Sequence, residues 1–123
     1  MGYRSEIGIL VTLPRGVKAS TMLKKMFGAW EENDFNYCFE VKERHEEFNY
    51  LFVHTKHDIK WYEDCYQDVT KTMKFIRDFE KHYKTGGVHY LRIGESIEDV
   101  EEELRGECER IIQLERIMAT DFD

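Results

Sequence analysis

The chain reads as an α+β domain: an antiparallel-rich sheet with two helices on one face. Three observations predict this. Apolar residues alternate at period two between Tyr3 and Leu13, and again on both sides of the charged stretch Lys42 to Glu47. They recur at helical spacing in Ser20 to Asn33 and in Glu63 to Tyr83. The two patterns follow one another as β-α-β-β-α-β, the split β-α-β order, and an acidic tail comes after them.

In the first strand Ile7, Ile9, Val11 and Leu13 share a face, and Pro14-Arg15-Gly16 breaks the run. The first helix carries Met22, Leu23, Met26, Phe27 and Trp30 on one stripe, with Ser20 as a plausible N-cap. Leu23, Met26, Phe27 and Trp30 are expected to pack on Ile7, Ile9 and Val11, because neighbouring amphipathic elements usually bury their faces together. Leu23→Ala should then cost about 2–5 kcal/mol. Phe35, Tyr37, Phe39 and Val41 predict a second strand; Phe48, Tyr50, Phe52 and His54 predict a third. Leu51 and Val53 make the third strand apolar on both faces. The two runs read as a hairpin whose turn type is not assigned. Cys65, Val69, Met73, Ile76, Phe79 and Tyr83 line the second helix, Thr85-Gly86-Gly87 ends it, and Val88 to Gly94 forms a short strand.

The tail has two readings. Ile97, Val100, Leu104, Cys108 and Ile111 have helical spacing, with Ser96 and Asp99 resembling a capping box. Against this, Gly106 would cost a helix about 1 kcal/mol. Ile112, Leu114, Arg116 and Met118 also read as a strand. Periodicity alone slightly favours the helix.

A length of 123 residues suits a single domain spanning 1–123. A hydrophobic fraction of 41% excludes a disordered chain. Cys38, Cys65 and Cys108 are odd in number and form no CxxC, so reduced thiols in a cytoplasmic setting are expected, with neither disulfide nor structural metal. The first residues suit neither a signal peptide nor a membrane span, and Glu6 stands where myristoylation needs Ser or Thr. The net charge of −7 is unevenly placed. Residues 93–123 hold eleven acids and three arginines, or −8, which leaves +1 for the rest. Such a tail repels phosphate backbones and suits a basic partner or plain solubility.

Catalytic signatures are missing. His54-Thr55-Lys56-His57 is an HxxH, but on a strand its odd spacing sends the rings to opposite faces, and Asp58 does not complete a known ligand pattern. Cys65 sits on an apolar helical stripe, where an inert buried thiol is the simpler reading. No GxSxG, Walker loop or GxGxxG occurs, and Gly86-Gly87 stands between helix and strand, the wrong order for a phosphate loop. Glu101-Glu102-Glu103 is a charge run of the kind that usually forms a solvated face. Lys60-Trp61-Tyr62, with Tyr66 nearby, sets large aromatics beside a cation; these are interface anchors on one reading and core caps on the other.

Four segments together resemble a group of small, mostly uncharacterised proteins of tailed bacteriophages. They are Met1-Gly2-Tyr3-Arg4-Ser5, then Lys60-Trp61-Tyr62 with Asp68-Val69, then Arg92-Ile93-Gly94-Glu95, and finally Asp99 with Glu101 and Glu102. The sequence departs from the pattern at Tyr66-Gln67, where a tighter turn would be expected. The resemblance implies a strand around Val100 to Arg105, a turn at Gly106-Glu107, and a last strand around Ile111 to Met118 holding Arg116. With Gly106 interrupting the helical run, the balance falls on the strands.

The resulting expectation is a non-enzymatic phage protein in the host cytoplasm, without cofactor, that inhibits or redirects a host protein such as a defence (anti-CRISPR-like) or nucleic-acid-handling complex. Its partner would present a basic surface to Trp61, Tyr62, Glu98, Asp99, Glu101, Glu102 and Glu103. No direct binding of nucleic acid or membrane is expected, and a homodimer is compatible with the sequence. Neutralising Glu101, Glu102 and Glu103 together should leave stability within about 1 kcal/mol. The alternative is an oligomeric binder that sequesters a nucleotide-like ligand through Arg4, Arg92, Trp61 and Tyr62.

Overall fold

In the computed structural model, the structure describes residues 4–45, 49–62, 66–95 and 98–107. The elements are β1 (Glu6–Thr12), α1 (Ala19–Phe27), α2 (Glu32–Cys38), β2 (Phe39–His45), β3 (Asn49–Thr55), α3 (Gln67–Arg77), α4 (Phe79–His82), β4 (Gly87–Ile93) and β5 (Val100–Gly106). The α+β class is borne out. One five-stranded sheet runs β2-β3-β1-β4-β5, and every neighbouring pair is antiparallel. Its first four strands have the order of the split β-α-β arrangement.

β1 is the central strand of the sheet, and five of its seven residues are buried. Ile7, Ile9 and Val11 are fully buried in one cluster with Met22, Met26 and Phe27 of α1 and Val69, Met73 and Ile76 of α3. The expected contact between the first helix and the first strand is therefore present, with one adjustment. Leu23 is only half-buried and packs at the margin, whereas Met22 is fully buried. The costly truncation in α1 is thus at Met22 rather than Leu23. The doubly apolar reading of β3 also holds: Leu51 and Val53 face the helices, while Tyr50 and Phe52 join Leu10 and Leu91 in a smaller buried cluster on the other face.

Three boundaries differ from expectation. The first helix starts at Ala19 after Lys18, so Ser20 lies inside it and caps nothing. That helix ends at Phe27, and a second one covers Glu32–Cys38, where the alternation of Phe35 and Tyr37 predicts strand. A strand would put those two rings on one face. Instead Phe35 packs on Phe27 and Phe39, with ring centroids 4.8 and 5.2 Å away, and Tyr37 is 71% exposed. Aromatic packing across the turn outweighed the local pattern. The second long helix divides at Asp78 into α3 and α4, yet its stripe is as predicted: Val69, Met73, Ile76 and Phe79 are each at most 1% exposed. Cys65 lies outside the described residues.

The tail between Val100 and Gly106 is a strand, not a helix. Gly106 ends it with φ 72°, and Glu107 N–H donates to Gly86 O at 2.8 Å. Gly86 itself has φ 79°, and a Cβ there would fall 2.5 Å from Thr12 O. These two glycines let the ends of β1, β4 and β5 approach closely. The expected last strand, Ile111 to Met118 with Arg116, lies outside the described residues.

Candidate functional site

Two regions outside the core combine exposure with chemistry: the edge strand β5 and a cleft on the helical side. Among the described residues β5 pairs with β4 alone and is the last strand of the sheet. Residues 98–107 hold six acids and one arginine, a net charge of −5.

These acids do not form a single patch, because a strand sends alternate side chains to opposite faces. Register pairs Arg92 with Glu101, Leu91 with Glu102 and Tyr90 with Glu103. Tyr90 belongs to the helix-side cluster and Leu91 to the opposite one, so Glu101 and Glu103 share a face that Glu102 does not. Most are also engaged within the chain. Arg92 donates to both Asp99 oxygens at 2.7 and 3.1 Å, to Glu101 at 3.1 Å and to Ser5 Oγ at 3.1 Å. Glu103 accepts from Arg77 at 2.6 Å and from Arg105 at 2.8 Å, and its side chain is only 16% exposed. His89 Nε2 lies 2.5 Å from Glu102. Glu101 and Glu102 remain half exposed, and Glu98 is exposed in the turn before the strand.

The cleft has a volume of about 290 Å³ and opens between α2, the start of α3 and the connection from β3 to α3. α2 contributes Asp34, Tyr37 and Cys38; the start of α3 contributes Tyr66 and Asp68; Lys60 and Arg4 come from the connection and from the residues before β1. Burial, and then the charges of Asp34 and Asp68, push the Cys38 thiol above its ordinary range. A thiol held in that state is a poor nucleophile at neutral pH.

The aromatics singled out from sequence separate. Trp61 is 5% exposed and stacks on Trp30 at 5.9 Å, so it belongs to the core and not to a surface. Tyr62 is half-buried and stacks on Tyr66 at 6.1 Å, beside the cleft. The alternative ligand set of Arg4, Arg92, Trp61 and Tyr62 does not converge: of the four, only Arg4 lines the cleft, and Arg92 is committed to Asp99, Glu101 and Ser5.

The two histidines of the HxxH go to different neighbours. His54 Nε2 lies 2.6 Å from Glu6 Oε2, while the His57 ring meets Tyr37 edge-on at 5.0 Å. Among the described residues no group of three or more His, Cys, Asp and Glu side chains could hold a metal ion. Nor is any described helix long and apolar enough to cross a membrane.

The alternation of Phe35, Tyr37, Phe39 and Val41 points to a strand, and Asp34 falls between it and the helical run that ends at Asn33, so the pattern singles out neither Asp34 nor Tyr37 as a site residue. A signal was available: Glu32 and Asp34 fall in the first turn of α2, where carboxylates suit the positive end of a helix. No family model, curated protein or solved structure matches the chain.

Proposed function

We propose that this chain is a non-enzymatic, phage-encoded binding protein that occupies a basic surface of a host protein and inhibits or redirects it. The observation that carries this reading is the outer edge of β5, an unpaired strand edge among the described residues with a net charge of −5 over residues 98–107. An open edge accepts an extended segment by main-chain hydrogen bonding, and side chains beside it select the partner. Val100 and Leu104, each 49% exposed on the face that carries Glu102, offer apolar contacts to such a segment. Glu101 and Glu102 would supply attraction, which acts first on encounter rate. The phage origin is supported by the four resembling segments, and a host defence or nucleic-acid-handling complex is the target class that fits it.

Affinity capture from host extract, run in parallel with the parent chain and with Glu101→Lys plus Glu102→Lys, tests the reading. A specific host protein should be retained by the parent, released by moderate salt and lost by the variant. Equal retention by both chains would remove β5 from the function.

A further inference from the structure

The cleft on the helical side holds a different kind of information. Arg4, Lys60, Asp34 and Asp68 all line it. Two are cations and two are anions, yet no ion pair joins any of the four to another described residue. Asp34, Arg4 and Lys60 are exposed, and Asp68 is half-buried. Among the described residues these side chains make few bonds: Asp68 accepts from Val69 N–H at 2.8 Å, and Arg4 makes one long contact, 3.4 Å, to Asp58 O.

Opposite charges that share a small cleft without neutralising one another make a bipolar surface. A ligand of one sign gains at one pair and is repelled at the other. A ligand carrying both signs is matched twice. The acids come from α2 and the start of α3, and the cations from the connection after β3 and the residues before β1, so the two signs arrive on separate segments. The raised thiol of Cys38 agrees, since both Asp34 and Asp68 contribute negative potential there.

Size and lining narrow the class further. The cleft, about 290 Å³, stands at the small end of ligand sites, which run from about 300 to 1,000 Å³. Tyr37 is 71% exposed and meets His57 edge-on, Tyr66 is 42% exposed and stacks on Tyr62, and both tyrosines border the cleft. Exposed tyrosine rings favour a planar apolar group.

We infer that this cleft binds a small zwitterion of the amino-acid class with an aromatic side chain, its ammonium toward Asp34 and Asp68 and its carboxylate toward Arg4 and Lys60. The site is separate from the β5 edge and does not depend on a protein partner.

Calorimetry and thermal shift at low salt provide the test. The probes are each free proteinogenic amino acid, L-phenylalaninamide with the cation alone, N-acetyl-L-phenylalanine with the anion alone, and adenosine monophosphate. An aromatic amino acid should bind and raise the melting temperature, with both single-charge analogues weaker by about tenfold or more. Asp34→Asn should erase the advantage over the acetylated analogue, and Lys60→Met the advantage over the amide. Both residues are exposed, so without ligand Lys60→Met should melt like the parent and Asp34→Asn only slightly lower, by the small contribution of its carboxylate at the start of α2. If a variant melts lower, chemical-shift mapping of the parent with L-phenylalanine decides, through movement of the Tyr37 and Tyr66 signals. The proposal is overturned if no free amino acid binds, if a single-charge analogue binds as well, or if adenosine monophosphate binds in preference.

Discussion

The indole N–H of Trp30 donates to the hydroxyl of Thr72 at 3.1 Å, and that hydroxyl donates in turn to Met26 O at 3.0 Å. Thr72 is fully buried on α3, so one side chain ties the end of α1 and the following turn to α3. Thr72→Val keeps the shape and leaves an indole N–H and a carbonyl without partners. Denaturant unfolding should show a loss of about 1–3 kcal/mol, and Thr72→Ser should recover most of it. Equal stability of the Val variant would show that the bond contributes nothing net.

Glu103 differs from its neighbours in the acidic run. It joins Arg77 of α3 to Arg105 on its own strand and is largely buried. Glu103→Gln should therefore cost about 1–2 kcal/mol, the lower part of the range allowing for the exposure of Arg77. Glu101→Gln, at a half-exposed pair, should stay within about 0.5 kcal/mol. This revises the expectation that all three could be neutralised together within about 1 kcal/mol. Single variants compared by chemical denaturation check the ranking; a more damaging Glu101→Gln would reverse it.

Acid should weaken the joint between α3 and α4. The Lys74 ammonium donates to Asp78 at 2.9 Å and holds its carboxyl below the usual carboxylate range. A folded-state pKa below the unfolded value adds stability above the unfolded pKa, and this is lost as pH falls through the folded one. Asp78→Asn should thus melt lower than the parent at neutral pH, and the gap should close as the solution is acidified. A gap independent of pH would mean that the pair is not its cause.

Cys38 should react slowly for a partly accessible thiol. Burial and the nearby charges of Asp34 and Asp68 push its pKa up, so less thiolate is present at neutral pH. Alkylation followed by peptide mass mapping should find Cys38 modified more slowly than free cysteine at the same pH. Asp34→Asn should speed it. An unchanged rate in that variant would leave burial as the whole explanation.

Much of the fold was legible because the patterns of β1, β3 and α3 are long and agree with local propensity. The stripe Val69, Met73, Ile76 and Phe79 needed no partner to be recognised, since helical spacing alone puts these residues on one face. Residues 35–38 belong to α2 although the alternation of Phe35, Tyr37, Phe39 and Val41 fits a strand, because so short a run of aromatics is compatible with either element. Only the packing of Phe35 between Phe27 and Phe39 separated the two. The tail was ambiguous for a related reason: its apolar residues satisfied both periods, and pairing with β4 chose the strand.

The candidate sites divide along the same line. The sequence by itself determined the α+β order, the apolar faces and the excess of acid after Ile93, all properties of neighbours along the chain. The tertiary structure alone decided that Trp61 is core, that Glu101 and Glu103 face away from Glu102, and that Arg4, Asp34, Lys60 and Asp68 border one cleft. Periodicity reports which face a residue occupies within its own element. It does not report which element lies opposite, and the meeting of residues 4, 34, 60 and 68 is set by how separate elements pack.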